Sequence, residues 1–104
     1  MLLERQKDDN RITSVYDSSN ILSSSYDRKN KSMTVVFRSG GGYRYGNVTE
    51  SEYLMFERAD SQGKVFSKMI RQKPTQKIDD LSDVDLLTMV AYVDTLKEEK
   101  KKKK

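Results

Sequence analysis

Cysteine and histidine are both missing from the 104 residues, and proline occurs once. Without cysteine there is no disulfide staple, no redox chemistry and no thiolate nucleophile or metal ligand. Without histidine the commonest metal ligand and the commonest general base are gone too. Metal, cofactor and enzyme readings therefore start with few donors, and none of the three is expected. Hydrophobic residues make up only 35% of the chain, enough for one small core and a docked terminal helix but not for two cores. A core of that size is marginal alone, so a homo-oligomer is expected as a source of further burial. Long apolar runs are lacking as well. Two leucines near the start give way to charges, so neither a leader nor a membrane span is predicted, and the expected compartment is the cytoplasm, or the host cytoplasm if the chain is viral.

Charge is present in quantity but unevenly placed. The net charge is +4, and residues 97–104, with six lysines and two glutamates, account for all of it. Within the balanced remainder, residues 28–77 hold eleven Lys or Arg against four Asp or Glu. One local basic centre suits a ligand with a few phosphates better than a long polyanion, which needs a stripe of charge.

Residues 1–15 read as a polar segment with a turn at Asp8, Asp9 and Asn10, and no function attaches to them. Residues 16–27 suggest a short edge strand entered through a serine-rich turn. Met33, Val35 and Phe37 alternate with Thr34, Val36 and Arg38, the period of a half-buried strand. Gly40, Gly41 and Gly42 then permit a reversal, and Tyr43 and Tyr45 point to one face of a third strand with Arg44 on the other. Thr49 and Glu52 have the spacing of a helix capping box ahead of Tyr53, Leu54, Met55, Phe56 and Ala59. After a break at residues 60–63, Val65, Phe66, Met69 and Ile70 recur at helical spacing, with Lys64, Lys68 and Arg71 on another face. Pro74 closes that unit and residues 75–81 read as a linker. Ser82 can cap a helix over residues 82–99 whose Leu86, Leu87, Met89, Val90, Val93 and Leu96 form a wide apolar face, expected to dock on a symmetry mate. Residues 100–104 read as a solvated lysine tail. The fold class predicted is α+β: a three-stranded antiparallel β-meander packed with two short helices, plus a C-terminal helix.

Ser18, Asn20 and Ile21, Tyr26 and Asp27, residues 35–37, the three glycines, Tyr43-Arg44-Tyr45, Val48, Tyr53, residues 59–63 and Ile70-Arg71 together resemble the KTSC domain over residues 16–74. That family is named for its place at the C-terminus of some lysyl-tRNA synthetases and includes stand-alone small proteins, some from phages. The family centres on a Tyr-x-Tyr with a downstream Ala-x-Ser-x-Gly segment, and its suspected role is RNA binding. Thr49 departs from the pattern, since a proline commonly follows the valine, and so does the helix from residue 82. No catalytic residue comes with the resemblance.

The candidate ligand-binding residues are Arg38, Tyr43, Arg44, Tyr45, Ser61, Gly63, Lys64, Lys68 and Arg71. The tyrosines can stack on bases or pack in a core with their hydroxyls at the rim. Arg38 and Arg44 can clamp a phosphate or stand solvated. Ser61 and Gly63, beside Lys64, can form an anion site at a helix start or an ordinary capped turn, and Lys64, Lys68 and Arg71 can extend that site or form a wet helix face. The expected function is non-enzymatic binding and sequestration of a small phosphate-bearing nucleotide, for instance a cyclic dinucleotide defence signal bound by a phage protein, between protomers. The alternatives are an RNA-binding accessory module and a protein that inhibits a host partner.

Overall fold

The computed structural model describes residues 1–78 and 83–102, the side chains of 83–86 and 100–102 excepted. Six antiparallel strands form one sheet in sequence order: β1 (Leu2–Lys7), β2 (Arg11–Tyr16), β3 (Ile21–Asp27), β4 (Ser32–Phe37), β5 (Gly42–Tyr45) and β6 (Thr75–Ile78). α1 (Glu50–Arg58), α2 (Gln62–Val65) and a π-helical turn (Phe66–Ile70) intervene between β5 and β6, and α3 (Asp83–Lys102) follows. The α+β class stands, but the expected three strands are six. β1 and β2 occupy the segment read as polar and unassigned, and β6 occupies the start of the expected linker. β3 is consequently an interior strand, not an edge. The rest of the linker, the Ser82 cap, the Leu86 side chain and residues 103 and 104 lie outside the described residues.

Alternation explains where each layer sits. On one face, Ile12, Tyr16, Tyr26, Met33, Val35 and Tyr45 point inward and pack against Val48, Tyr53, Phe56 and Ile70 from the helical segment. Thr49 caps α1 as expected: its hydroxyl accepts from the Glu52 N–H at 3.1 Å, and Glu52 accepts from the Thr49 N–H at 2.9 Å. Thr49 and Glu52 thus close the first turn of α1 from within the local sequence. Gly40 and Gly41, at φ 104° and 94°, make the β4–β5 reversal that a side chain would strain.

This core also holds polar groups. The Tyr16 hydroxyl and Ser24 Oγ lie 2.7 Å apart, Ser24 Oγ and the Tyr53 hydroxyl 2.8 Å, and Tyr53 donates to Ser14. Ser14 in turn donates to the buried Glu57, whose two oxygens accept from Arg5 Nε at 2.8 and 3.0 Å. Burial pushes the Tyr16 hydroxyl well above the usual phenol range and raises that of Tyr53.

The opposite face is covered in part by α3. Val93 is fully buried among Leu3, Leu22 and Val36, with Met89, Val90 and Leu96 packed beside it. The Tyr92 hydroxyl donates to Glu4, and Lys97 pairs with Asp17 at 3.2 Å. Four members of the apolar stripe expected to meet a symmetry mate, Met89, Val90, Val93 and Leu96, thus lie on their own sheet while Leu87 stays exposed, and the helix runs on through Lys102 into the expected tail. No helix among the described residues is long and apolar enough to cross a membrane.

Candidate functional site

Five of the nine predicted residues meet in one place. Where α2 and the π-helical turn pass the entrance to β3 and the β4–β5 turn, two hollows of about 270 and 490 Å³ adjoin and share Asn20, Gly63 and Ser67. Ser61, Lys64 and Lys68 line the wider hollow, while Arg71, Phe37 and Phe66 line the deeper one.

The local sequence accounts for this notch. Ser61, in extended conformation, ends the break after α1 and caps α2 by accepting from the Lys64 N–H at 3.4 Å. That hydroxyl is therefore occupied, so the cap reading of Ser61 fits the geometry. Gln62, fully buried, donates from its amide to Ala59 O at 2.8 Å and fixes the inter-helix turn. Gly63 lies against Asn20, whose Nδ2 a Cβ at this position would touch in ordinary van der Waals contact at 3.5 Å. The widened turn places Arg71 beyond Phe66, its N–H donating to Phe66 O at 2.9 Å. Lys64, Lys68 and Arg71 are all exposed, and none makes a salt bridge with a described residue.

The other four candidates stand elsewhere. Tyr45 is buried with its ring edge-on to Phe66 at 5.4 Å, and burial raises its hydroxyl pKa. Tyr43 is half-buried, edge-on to Phe37 at 5.8 Å. The tyrosines thus belong to the core, as one of the two sequence readings had it. Arg38 Nε donates to Ser18 O at 2.7 Å, and its guanidinium lies 3.8 Å from Asp94 of α3. Arg44 is exposed on the face away from the notch, beside Ser32 and Thr34. Asn20 and Ser67 were not foreseen. Asn20 stood in the sequence only within the family resemblance and the serine-rich turn, where Ser18 Oγ accepts from the N–H of Asn20 and Ile21.

Chemically, the notch sets three cations with no ion-pair partner among the described residues, an amide and a serine hydroxyl beside two phenyl rings. That set suits an anion attached to a flat, partly apolar group.

Comparisons with known proteins agree with one another. The family profile described as KTSC domain matches residues 17–73. Among solved structures, a KTSC domain protein from Yersinia pestis superposes with a TM-score of 0.61 at 33% sequence identity, over 72% of this chain and 96% of its own. No curated protein matches the chain significantly.

Proposed function

This chain belongs to the KTSC domain family, and we propose that it binds a small phosphate-bearing nucleotide in the notch and holds it without turnover. The observation that carries this reading is that Lys64 and Lys68, on the wider hollow, and Arg71, beside Phe37 and Phe66 on the adjoining one, gather in one notch without carboxylate partners among the described residues. A guanidinium and two ammonium groups neutralise one or two phosphates, and the ring edges border space for a base. The hollow is shallow, so one chain covers only one side of such a ligand. Enclosure by a second copy is part of the proposal. Holding a nucleotide signal in this way amounts to sequestration, and a cyclic dinucleotide is the ligand class to test first.

The openness of the same hollow favours a second reading, in which a single RNA strand lies across it with its phosphates on the cations. Titrating a cyclic dinucleotide panel and a single-stranded RNA into the wild type and Lys68→Glu separates the two. Nucleotide binding that weakens about tenfold in the variant and falls gently with salt supports the first. RNA binding with a steep salt dependence and no nucleotide response replaces it with the second. If neither ligand responds to Lys68→Glu, the notch is not the site.

A further inference from the structure

The face of the sheet turned away from the notch divides along its register. One cross-strand row runs Glu4, Val15, Ser23, Val36, Gly42 and Ile78, and its apolar members Val15 and Val36 pack with α3. The next row runs Gln6, Thr13, Ser25, Thr34, Arg44 and Gln76, and the last Arg11, Asp27 and Ser32. These two rows contain no apolar residue. They are lined by a hollow of about 400 Å³ whose floor is the short side chains of Ser25, Ser32 and Thr34.

A polar outer face is normal for an antiparallel sheet. Two features set this one apart. First, short hydroxyl side chains on the interior strands stand between long arginines on β2 and β5, which makes the face concave. Second, its positive charge is only partly compensated: Asp27 faces Arg11 across the register, which leaves Arg44 as the excess. Asp27 is already engaged, with one oxygen accepting from the N–H of Lys29 and Asn30 at 3.0 and 3.1 Å and the other from the Asn30 amide at 2.8 Å. Arg44 makes no hydrogen bond or ion pair with any described residue. Three strand spacings, about 14 Å, separate β2 from β5, so two extended guanidinium groups can lean inward from opposite walls.

We propose that this hollow is a second binding site, for a phosphorylated sugar, with Arg44 and Arg11 taking the phosphate and Ser25, Ser32, Thr34 and Asn30 the sugar hydroxyls. The charge calls for an anion, and a guanidinium fork matches phosphate oxygens. The floor calls for a ligand rich in hydroxyls, because its side chains both donate and accept. The hollow is lined by no aromatic side chain on which a base could stack, which separates it from the notch. The volume falls within the range of small-ligand cavities.

The test is an NMR titration of the full chain with ribose 5-phosphate, ribose and inorganic phosphate at millimolar concentration. Ribose 5-phosphate is expected to shift the amide signals of Ser25, Thr34 and Arg44 saturably, phosphate to shift them more weakly, and ribose not at all. Arg44→Ala should weaken the response about tenfold with its melting temperature unchanged, and Thr34→Glu, which places a carboxylate in the floor, should abolish it. Lys68→Glu on the other face should leave the shifts in place, so failure here and failure of the notch reading are distinguishable. Absence of saturable shifts with all three compounds overturns the proposal. Shifts confined to Asn20, Gly63 and Ser67, or a response to single-stranded RNA alone, overturn it equally.

Discussion

Arg44 and Tyr45 are neighbours in sequence on opposite faces of β5, so truncating each reads a different property. Tyr45→Ala removes a ring packed on Phe66 and should cost about 3 kcal/mol, the scale of a large-to-small core change. Arg44→Ala should stay within about 0.5 kcal/mol, as surface changes do. Thermal melts of the two variants check both numbers. The buried hydroxyls make a second prediction, on pH. Tyr16 loses its proton in the folded chain only far above the pH of about 10 at which an unfolded tyrosine does, and burial raises the Tyr53 hydroxyl too. Above that pH the unfolded state binds fewer protons than the native state, so stability should be fully present below about pH 10 and fall as pH rises beyond it. An ultraviolet titration should find these two tyrosines ionising together with unfolding; their titrating reversibly in the native protein at an ordinary pH would contradict the buried network. Arg5, held by Glu57, belongs to the same network, and Arg5→Met should cost about 2 kcal/mol by leaving that carboxylate buried without its cation.

Among the elements, α3 makes the clearest prediction. Because Val93 fills the space among Leu3, Leu22 and Val36, Val93→Asp should lower the melting temperature of the whole chain, whatever its oligomeric state. Asp94→Lys should act differently. It breaks the contact with Arg38, which holds Ser18 O and through it the turn that carries Asn20, so it should weaken notch binding while barely moving the melt. The elements differed in how plainly they could be read. β4 and β5 were legible because alternation and a glycine turn coincide, and α1 because Thr49 and Glu52 form a local cap. β1 and β2 were not, because their inward positions include Arg5 and Ser14, whose reason to be there is Glu57, more than forty residues later. β6 was hidden for another reason: its first three residues are exposed and carry no pattern. The apolar stripe of α3 was visible, but nothing local says that it covers its own sheet. In the notch, helical spacing grouped Lys64, Lys68 and Arg71, whereas Asn20 arrives from a distant turn that only the fold brings near.

At the scale of the molecule, most of the stripe that argued for self-association is already used, Leu87 alone of its described members standing exposed, so an oligomer must draw largely on other surfaces. A ligand shared between two notches makes assembly depend on that ligand. Light scattering should then show the protein growing in mass when the bound nucleotide is added, and Lys68→Glu should prevent the change; mass that is constant while binding saturates would put the whole ligand on one chain. The order of the sheet has a further consequence, in time. Every strand lies beside its neighbour in sequence, so a chain emerging from the ribosome can add β2, β3, β4 and β5 in turn with only short loops to close, while β6 must wait for the helical segment. The helix that covers Leu3, Leu22 and Val36 is made after all six strands. Throughout synthesis of residues 1–82 the second face stays wet and apolar, and this is the interval in which the nascent protein is most open to sticking to itself or to a chaperone.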